Sequence, residues 1–346
     1  MTGPVLVTGA GGFIGRATVA RLRETGLRVR AGLHRLPDGR SPAEGTVRCD
    51  LDDPRSLDAA LAGASSVVHA GGRSAVAMPD QLRALLAAAD RAGVDRVVHL
   101  SSIAVYGPEE GRIGEPDAPP ATAAPDDPYC VAKRACETML RTWVAARPGR
   151  RVAILRPGIV YGRGSDLWVE RPAAALRAGV LGPLGPRGQG VAALIHVCDV
   201  AEAIRCALAA LNGPGKGLIA ANLVGPDTPT WNAYFAMLAG PKPARPLTPG
   251  RLALLRALAL PAKALGRLRV PVPRALRLVP ASGELRLFAR AAQYDTARAR
   301  TELGFRPTIR LSDGLGEALG PIPAASAGSG ACLARNGTDR TVSGHE

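Results

Sequence analysis

The chain has 346 residues, a net charge of +15 and 6 cysteines, with 47% hydrophobic, 21% charged and only 3% aromatic residues. That length and apolar content exclude a small stapled scaffold and wholesale disorder, leaving one large α/β unit or a domain with a smaller appendage, its core filled by Ala, Val and Leu. Cys49, Cys130, Cys136, Cys198, Cys206 and Cys332 form no C-x-x-C and no pairing with histidine, so neither a metal site nor a disulfide framework is expected, and the cytoplasm is the expected compartment.

Pro4 to Thr8 reads as a buried strand that runs into Thr8-Gly9-Ala10-Gly11-Gly12-Phe13-Ile14-Gly15 and a helix from Phe13 to Thr25. No basic stretch precedes this glycine-broken run, which argues against a signal peptide, and no run reaches the roughly 18 to 20 apolar residues of a membrane span. Glycines at 9, 12 and 15 allow a tight turn, a close backbone approach to a pyrophosphate and close packing of helix on strand. The helix N-terminus then receives the phosphate charge. At the first strand-helix junction the pattern marks a dinucleotide site formed by Gly9, Gly12, Phe13, Ile14 and Gly15.

Leu27 to Leu33 is the second strand, ending in His34-Arg35 where an acidic residue would bind a ribose 2′-hydroxyl. Arg35, with His34 and Arg40, is a candidate clamp for a 2′-phosphate, so NADP is the preferred cofactor over NAD. Pro54 to Ala62 reads as a helix, Ser66 to Ala70 as a strand, Gln81 to Ala92 as a helix and Arg96 to Ser101 as a strand. Ser102 follows that strand at the sheet edge where ligands bind. Pro128 to Ala146 is a long helix and Arg151 to Leu155 a strand. Tyr129 and Lys133 are four apart on that helix, so an ammonium one turn away lowers the phenol's pKa towards the range of proton exchange. Lys133 is the sole lysine in the first 215 residues of a chain with 40 Arg and 4 Lys. A role needing a compact ammonium accounts for that choice.

Strands separated by such helices give a parallel, doubly wound sheet covered on both faces. The expected organisation is 1–162 as a dinucleotide-binding region and 163–320 as a mainly substrate-binding region. A strand and helix at 194–211 return to the core, and 321–346 is a disordered tail. His69, His99 and His196 sit in or at the ends of strands without metal-ligand spacing and read as packed neutral residues. Thr248-Pro249 starts a late helix that Pro261 interrupts, with Leu254, Leu258, Leu265 and Leu268 on one side and Arg256, Lys263 and Arg267 on the other. Residues 241–310 hold 15 basic and 3 acidic side chains, against 27 and 22 in residues 1–240.

The motifs TGAGGFIG (8–15), Asp50-Leu51, VVHAGG (67–72), LSSIAVYG (100–107), YCVAK (129–133), LRPGIVYG (155–162) and IHVCDVAEAI (195–204) occur in order. With them the chain resembles an extended short-chain dehydrogenase/reductase over about residues 1–320. That superfamily holds the NAD-dependent epimerase/dehydratases and the 3β-hydroxysteroid dehydrogenase and dihydroflavonol reductase types. The resemblance implies a Rossmann-type sheet with a smaller C-terminal substrate-binding region. It implies Tyr129 as acid/base, Lys133 on the nicotinamide ribose and tuning Tyr129, and Ser102 on the substrate carbonyl. It also implies Asp50 and Leu51 near the adenine, Ala70 and Gly71 beside the cofactor, and Pro157 and Gly158 near the carboxamide. Dehydratases of the superfamily carry an Asp-Glu pair where this chain has Ile103-Ala104, and nucleotide-sugar enzymes tend to carry an arginine where it has Val191-Ala192-Ala193-Leu194.

The expected activity is NAD(P)-dependent hydride transfer to or from a secondary alcohol or ketone. The alternatives are an epimerase acting on nucleotide sugars and a non-catalytic dinucleotide sensor. The expected partner is a small-molecule substrate and not nucleic acid, since no helix-turn-helix or zinc pattern accompanies the charge. Peripheral contact with an anionic membrane through 251–279 and a homodimer stay open.

Overall fold

The computed structural model describes residues 3–36, 44–116, 127–267 and 273–320, with side chains of 262–267 set aside. The expectations for Arg40, for the side chains of Lys263, Leu265, Arg267 and Leu268, and for the tail from Pro321 lie outside the described residues. The chain runs β1 (Val5–Thr8), α1 (Phe13–Glu24), β2 (Val29–Leu33), β3 (Thr46–Arg48), α2 (Pro54–Leu61), β4 (Ser66–His69), α3 (Met78–Ala92) and β5 (Arg96–Leu100). Next come β6 (Gly111–Ile113), α4 (Pro128–Ala145), β7 (Arg151–Pro157), β8 (Ile159–Tyr161), α5 (Arg171–Arg177), β9 (Leu194–His196), α6 (Val197–Asn212) and β10 (Leu218–Leu223). The last described elements are α7 (Trp231–Ala239), α8 (Pro249–Arg267), α9 (Arg274–Arg277), α10 (Ser282–Ala289), β11 (Ala292–Tyr294), α11 (Ala297–Thr301) and α12 (Leu311–Leu319).

Among the described residues seven parallel strands form one sheet in the order β10-β7-β5-β4-β1-β2-β3. β1 pairs with β2 on one side and β4 on the other. The connections therefore leave it in opposite directions and open a crevice at the strands' carboxyl ends. Alternation along β1 sends Val5 and Val7 to the face covered by α1 and α6, and Leu6 to the face covered by α2, α3 and α4. Both faces are built of Val, Leu, Ile and Ala, as a chain poor in aromatics requires. The aromatics concentrate elsewhere: Trp231, Tyr234, Phe235 and Phe288 form a separate cluster from the later half.

The expected elements of residues 1–211 are present, each end shifted by three residues or fewer. Short elements that were not expected, among them β3, β6 and β8, are added, and further differences stand out. β10, which no sequence pattern singled out, pairs with β7 through Leu218↔Val152 to Leu223↔Pro157 and completes one edge of the sheet. α8 continues through Pro261, an exposed position, instead of breaking there. Cys198 is disulfide-bonded, although no disulfide framework is expected from the sequence, while Cys49, Cys130, Cys136 and Cys206 are free and buried.

Candidate active site

The crevice begins at the turn between β1 and α1. Gly9 has φ 66, and a Cβ there would lie 2.7 Å from Gly71 Cα, so the two backbones touch across the switch point. A Cβ on Gly15 would lie 2.0 Å from Gly9 O, which fixes how closely α1 packs on the turn. Gly12 caps α1 without a side-chain bond, so the first-turn amides of Phe13 and Ile14 face an anion unblocked by the protein's own cap. These observations fit the pyrophosphate of a dinucleotide. Thr8 and Arg16, which sequence reasoning did not select, also shape the turn. Thr8 Oγ1 accepts from Gly71 N at 3.3 Å and bonds His69 Nδ1 at 3.0 Å, and Arg16 Nη1 donates to Gly11 O at 2.5 Å.

The corner formed by Ser102, Tyr129 and Lys133 follows from local chemistry at the start of α4. Asp127 caps the helix by accepting from Tyr129 N at 2.9 Å, with Pro128 at the first helical position. Cys130 Sγ donates to Ala104 O at 2.7 Å and Arg134 Nε to Val105 O at 2.6 Å, tying α4 to the turn that Ser102 opens. Ser102 Oγ accepts from Ala104 N at 3.1 Å, and the same hydroxyl draws the Tyr129 phenol's pKa down. Tyr129 is 37% exposed, yet desolvation by its surroundings is the larger effect and holds the phenol above its ordinary value. The shift is opposite to the lowering expected from Lys133, and the influence that does lower the phenol is the Ser102 hydroxyl rather than the ammonium. Lys133 Nζ lies 5.7 Å from the Tyr129 ring centroid and donates to Leu100 O at 2.6 Å. Burial pushes its ammonium down, with Cys136 and Glu137 acting the other way.

His69 and His99 stack behind Lys133 with centroids 5.2 Å apart. Burial, then the Lys133 charge, holds His69 down to about 3 and His99 well below its ordinary value; burial alone takes His196 to about 4. All three are neutral packed residues, as read from the sequence, and among the described residues no cluster could hold a metal ion.

Beneath the corner lies a buried polar network that the sequence did not reveal. Glu137 accepts from Ser101 Oγ at 2.6 Å and from Arg156 Nε and Nη2 at 2.9 and 2.8 Å. Arg156 Nη1 also donates to Tyr106 Oη at 2.8 Å, and Tyr106 donates to Asn222 Oδ1 at 2.7 Å. Asn222 Nδ2 donates to Asp295 O at 2.9 Å, joining α4 to the late segment. The one available signal was an arginine directly after the apolar run Val152–Leu155, at a buried position of β7.

The remaining expected residues line the same carboxyl edge. Ala70 and Gly71 follow β4, with Gly71 against Gly9. Pro157 ends β7, and a Cβ on Gly158 would lie 2.2 Å from Ala193 O. At the other end His34 and Arg35 are exposed after β2. His34 Nδ1 lies 3.3 Å from Asp50 Oδ1. Desolvation raises the Asp50 carboxyl, but the Asp52 amide, His34 and Arg48 together bring it below its ordinary value. Leu51 packs partly buried against the core.

Residues 5–220 match the family model described as the NAD-dependent epimerase/dehydratase family. The chain is 31% identical over 335 residues to the 3-diazoavenalumate denitrifying reductase of a Streptomyces species, covering 90% of this chain and 99% of the relative. It is 28% identical over 336 residues to the 2-alkyl-3-oxoalkanoate reductase of Stenotrophomonas maltophilia, covering 90% and 97%. Among solved structures, MoeE5 in complex with UDP-glucose and NAD aligns with a TM-score of 0.66 at 28% identity, covering 92% of this chain and 97% of that one.

Proposed function

The chain belongs to the NAD-dependent epimerase/dehydratase family, and from that premise we propose that it is an oxidoreductase acting between a nicotinamide dinucleotide and a secondary alcohol or ketone. The observation that carries the reading is the convergence of Ser102, Tyr129 and Lys133 at the carboxyl edge of the sheet, beside the glycine turn. The nicotinamide, when bound, supplies or accepts the hydride. The turn from Gly9 to Gly15 would hold its pyrophosphate, Ala70, Gly71, Pro157 and Gly158 would flank it, and Asp50 and Leu51 would meet the adenine end.

The protein's own work is on the proton. With its phenol above the ordinary value, Tyr129 is protonated at neutral pH, the form needed to give a proton to a carbonyl oxygen during reduction. Ser102 would bond the same oxygen, and Lys133 places a positive charge behind the developing phenolate. Both long-range relatives above are named reductases, which supports the redox reading. The exposed His34-Arg35 end of β2 favours a 2′-phosphate, and hence NADP over NAD.

Titrating NADPH and NADH separately, then following their oxidation with a panel of ketones, tests the proposal. Tyr129→Phe should lower turnover by at least about 100-fold while leaving nucleotide affinity within a few-fold. Full activity of that variant would sink the role of Tyr129. The likeness to a UDP-glucose and NAD complex favours epimerisation as the second reading. Purified protein retaining NAD, with turnover of nucleotide sugars and none of added NADPH, would replace the first reading by it.

A further inference from the structure

α8 carries its apolar residues on the wrong side for a helix that only serves the core. Leu252 and Ala259 are buried beneath it, whereas Leu254, Leu258 and Leu260 stand 61%, 50% and 72% exposed. At 3.6 residues per turn, Leu254, Ala257, Leu258 and Pro261 share one outward side, and Ala253 and Leu260 widen it. Ala253, Ala257 and Pro261 are exposed as well. A surface helix ordinarily turns charges outward; here Arg251, at the margin, is the charge on that side.

Positive charge is concentrated in the segments on either side of this helix. Lys242, Arg245, Arg274, Arg277 and Arg286 are exposed and make no ion pair among the described residues. Glu284, the one acid in residues 241–290, lies 3.7 Å from Arg171. α8 packs against α9, which carries Arg274 and Arg277, and Arg256 Nη2 donates to Ser282 Oγ at the start of α10 at 2.5 Å, so α8 and the elements bearing these arginines are neighbours in the fold.

We propose that α8 and the basic residues around it dock on the surface of an anionic lipid bilayer, with Leu254, Leu258 and Leu260 entering the boundary between headgroups and acyl chains. Among the described residues no helix is long and apolar enough to cross a membrane, so the contact lies along the surface. Exposed leucines and unpaired cations are satisfied together by this one partner. Nucleic acid would neutralise the arginines and leave the leucines in water. A second copy of the chain would bury the leucines but oppose two faces of the same sign.

Cosedimentation of the full chain with vesicles of phosphatidylcholine alone, and with vesicles in which a third of the lipid is phosphatidylglycerol, tests this. Binding is expected to the second alone, and to weaken as salt is raised. Lys242→Gln/Arg274→Gln/Arg277→Gln should weaken it by roughly 100-fold at low salt. Leu254→Ser/Leu258→Ser/Leu260→Ser, which changes no charge, should weaken it by at least about tenfold. Both variants should melt with the parent. No binding, equal binding to both vesicles, or undiminished binding by the serine variant overturns the proposal. So does a concentration-dependent rise in mass that the serine variant abolishes, which would make the face a self-association surface.

Discussion

Glu137 is fully enclosed, and its carboxylate is shared among the Ser101 hydroxyl, two nitrogens of Arg156 and, at 3.3 Å, Arg141 Nη2. A buried ion pair is weak support for stability, because desolvation offsets the attraction. Its position is more informative. Glu137 lies one helical turn from Lys133, Ser101 adjoins Ser102, and Arg156 adjoins Pro157, so one cluster underpins α4 and the ends of β5 and β7 at the site. Glu137→Gln would leave Arg156 charged and buried opposite a neutral partner, and should cost about 3–5 kcal/mol in a urea titration. Arg156→Met added to that variant should recover part of the loss; simple additivity would show that the two residues do not act as one unit. Glu137 also supports the Lys133 ammonium against burial. Without it Lys133 gives up its proton at lower pH, so the alkaline fall of turnover in Glu137→Gln should begin earlier than in the parent.

The β1-α1 junction shows how narrowly an element can be specified. Gly15→Ala puts a methyl 2.0 Å from Gly9 O, backbone that cannot yield without moving α1, whereas at Gly12 the nearest atom is 3.2 Å away and φ is −78. Gly15→Ala should therefore cost about 1–3 kcal/mol and weaken nucleotide binding, and Gly12→Ala distinctly less. Equal losses by thermal melting and nucleotide titration would mean that helix-turn spacing does not control the site. This turn, Tyr129 and Lys133 were legible in the sequence because each is local: glycine spacing within one junction, and two residues one turn apart. Leu218–Leu223 was not, since a short buried run after a glycine-rich turn carries no period that separates strand from helix. Glu137 and Arg156 were missed for a related reason, as their contact joins two elements 19 residues apart. Pro261 did signal a lost backbone bond, but at an exposed position water can serve the freed carbonyl and the helix runs on.

Across the molecule, the internal histidines and the surface charge both weaken the fold in acid. His69, His99 and His196 are buried, and their folded-state pKa values lie below the ordinary one, at about 3 for His69 and about 4 for His196. Below about pH 6.5 the unfolded chain binds protons at these sites while the folded chain does not, so stability rises with pH in that window and falls as pH drops. Protonation of carboxylates adds to a net charge already at +15 and increases self-repulsion, chiefly through the 22 acidic side chains of residues 1–240. Salt separates the two contributions, because it screens exposed charges and leaves buried histidines untouched. The melting temperature should thus decline between about pH 6.5 and 4.5 even at high ionic strength. His99, whose two ring nitrogens have no hydrogen-bond partner among the described residues, is the site to remove. His99→Leu should make the decline shallower by the equivalent of about one proton. A parent melting temperature that stays flat over this range at high salt would mean that the stacked pair behind Lys133 takes up protons without unfolding.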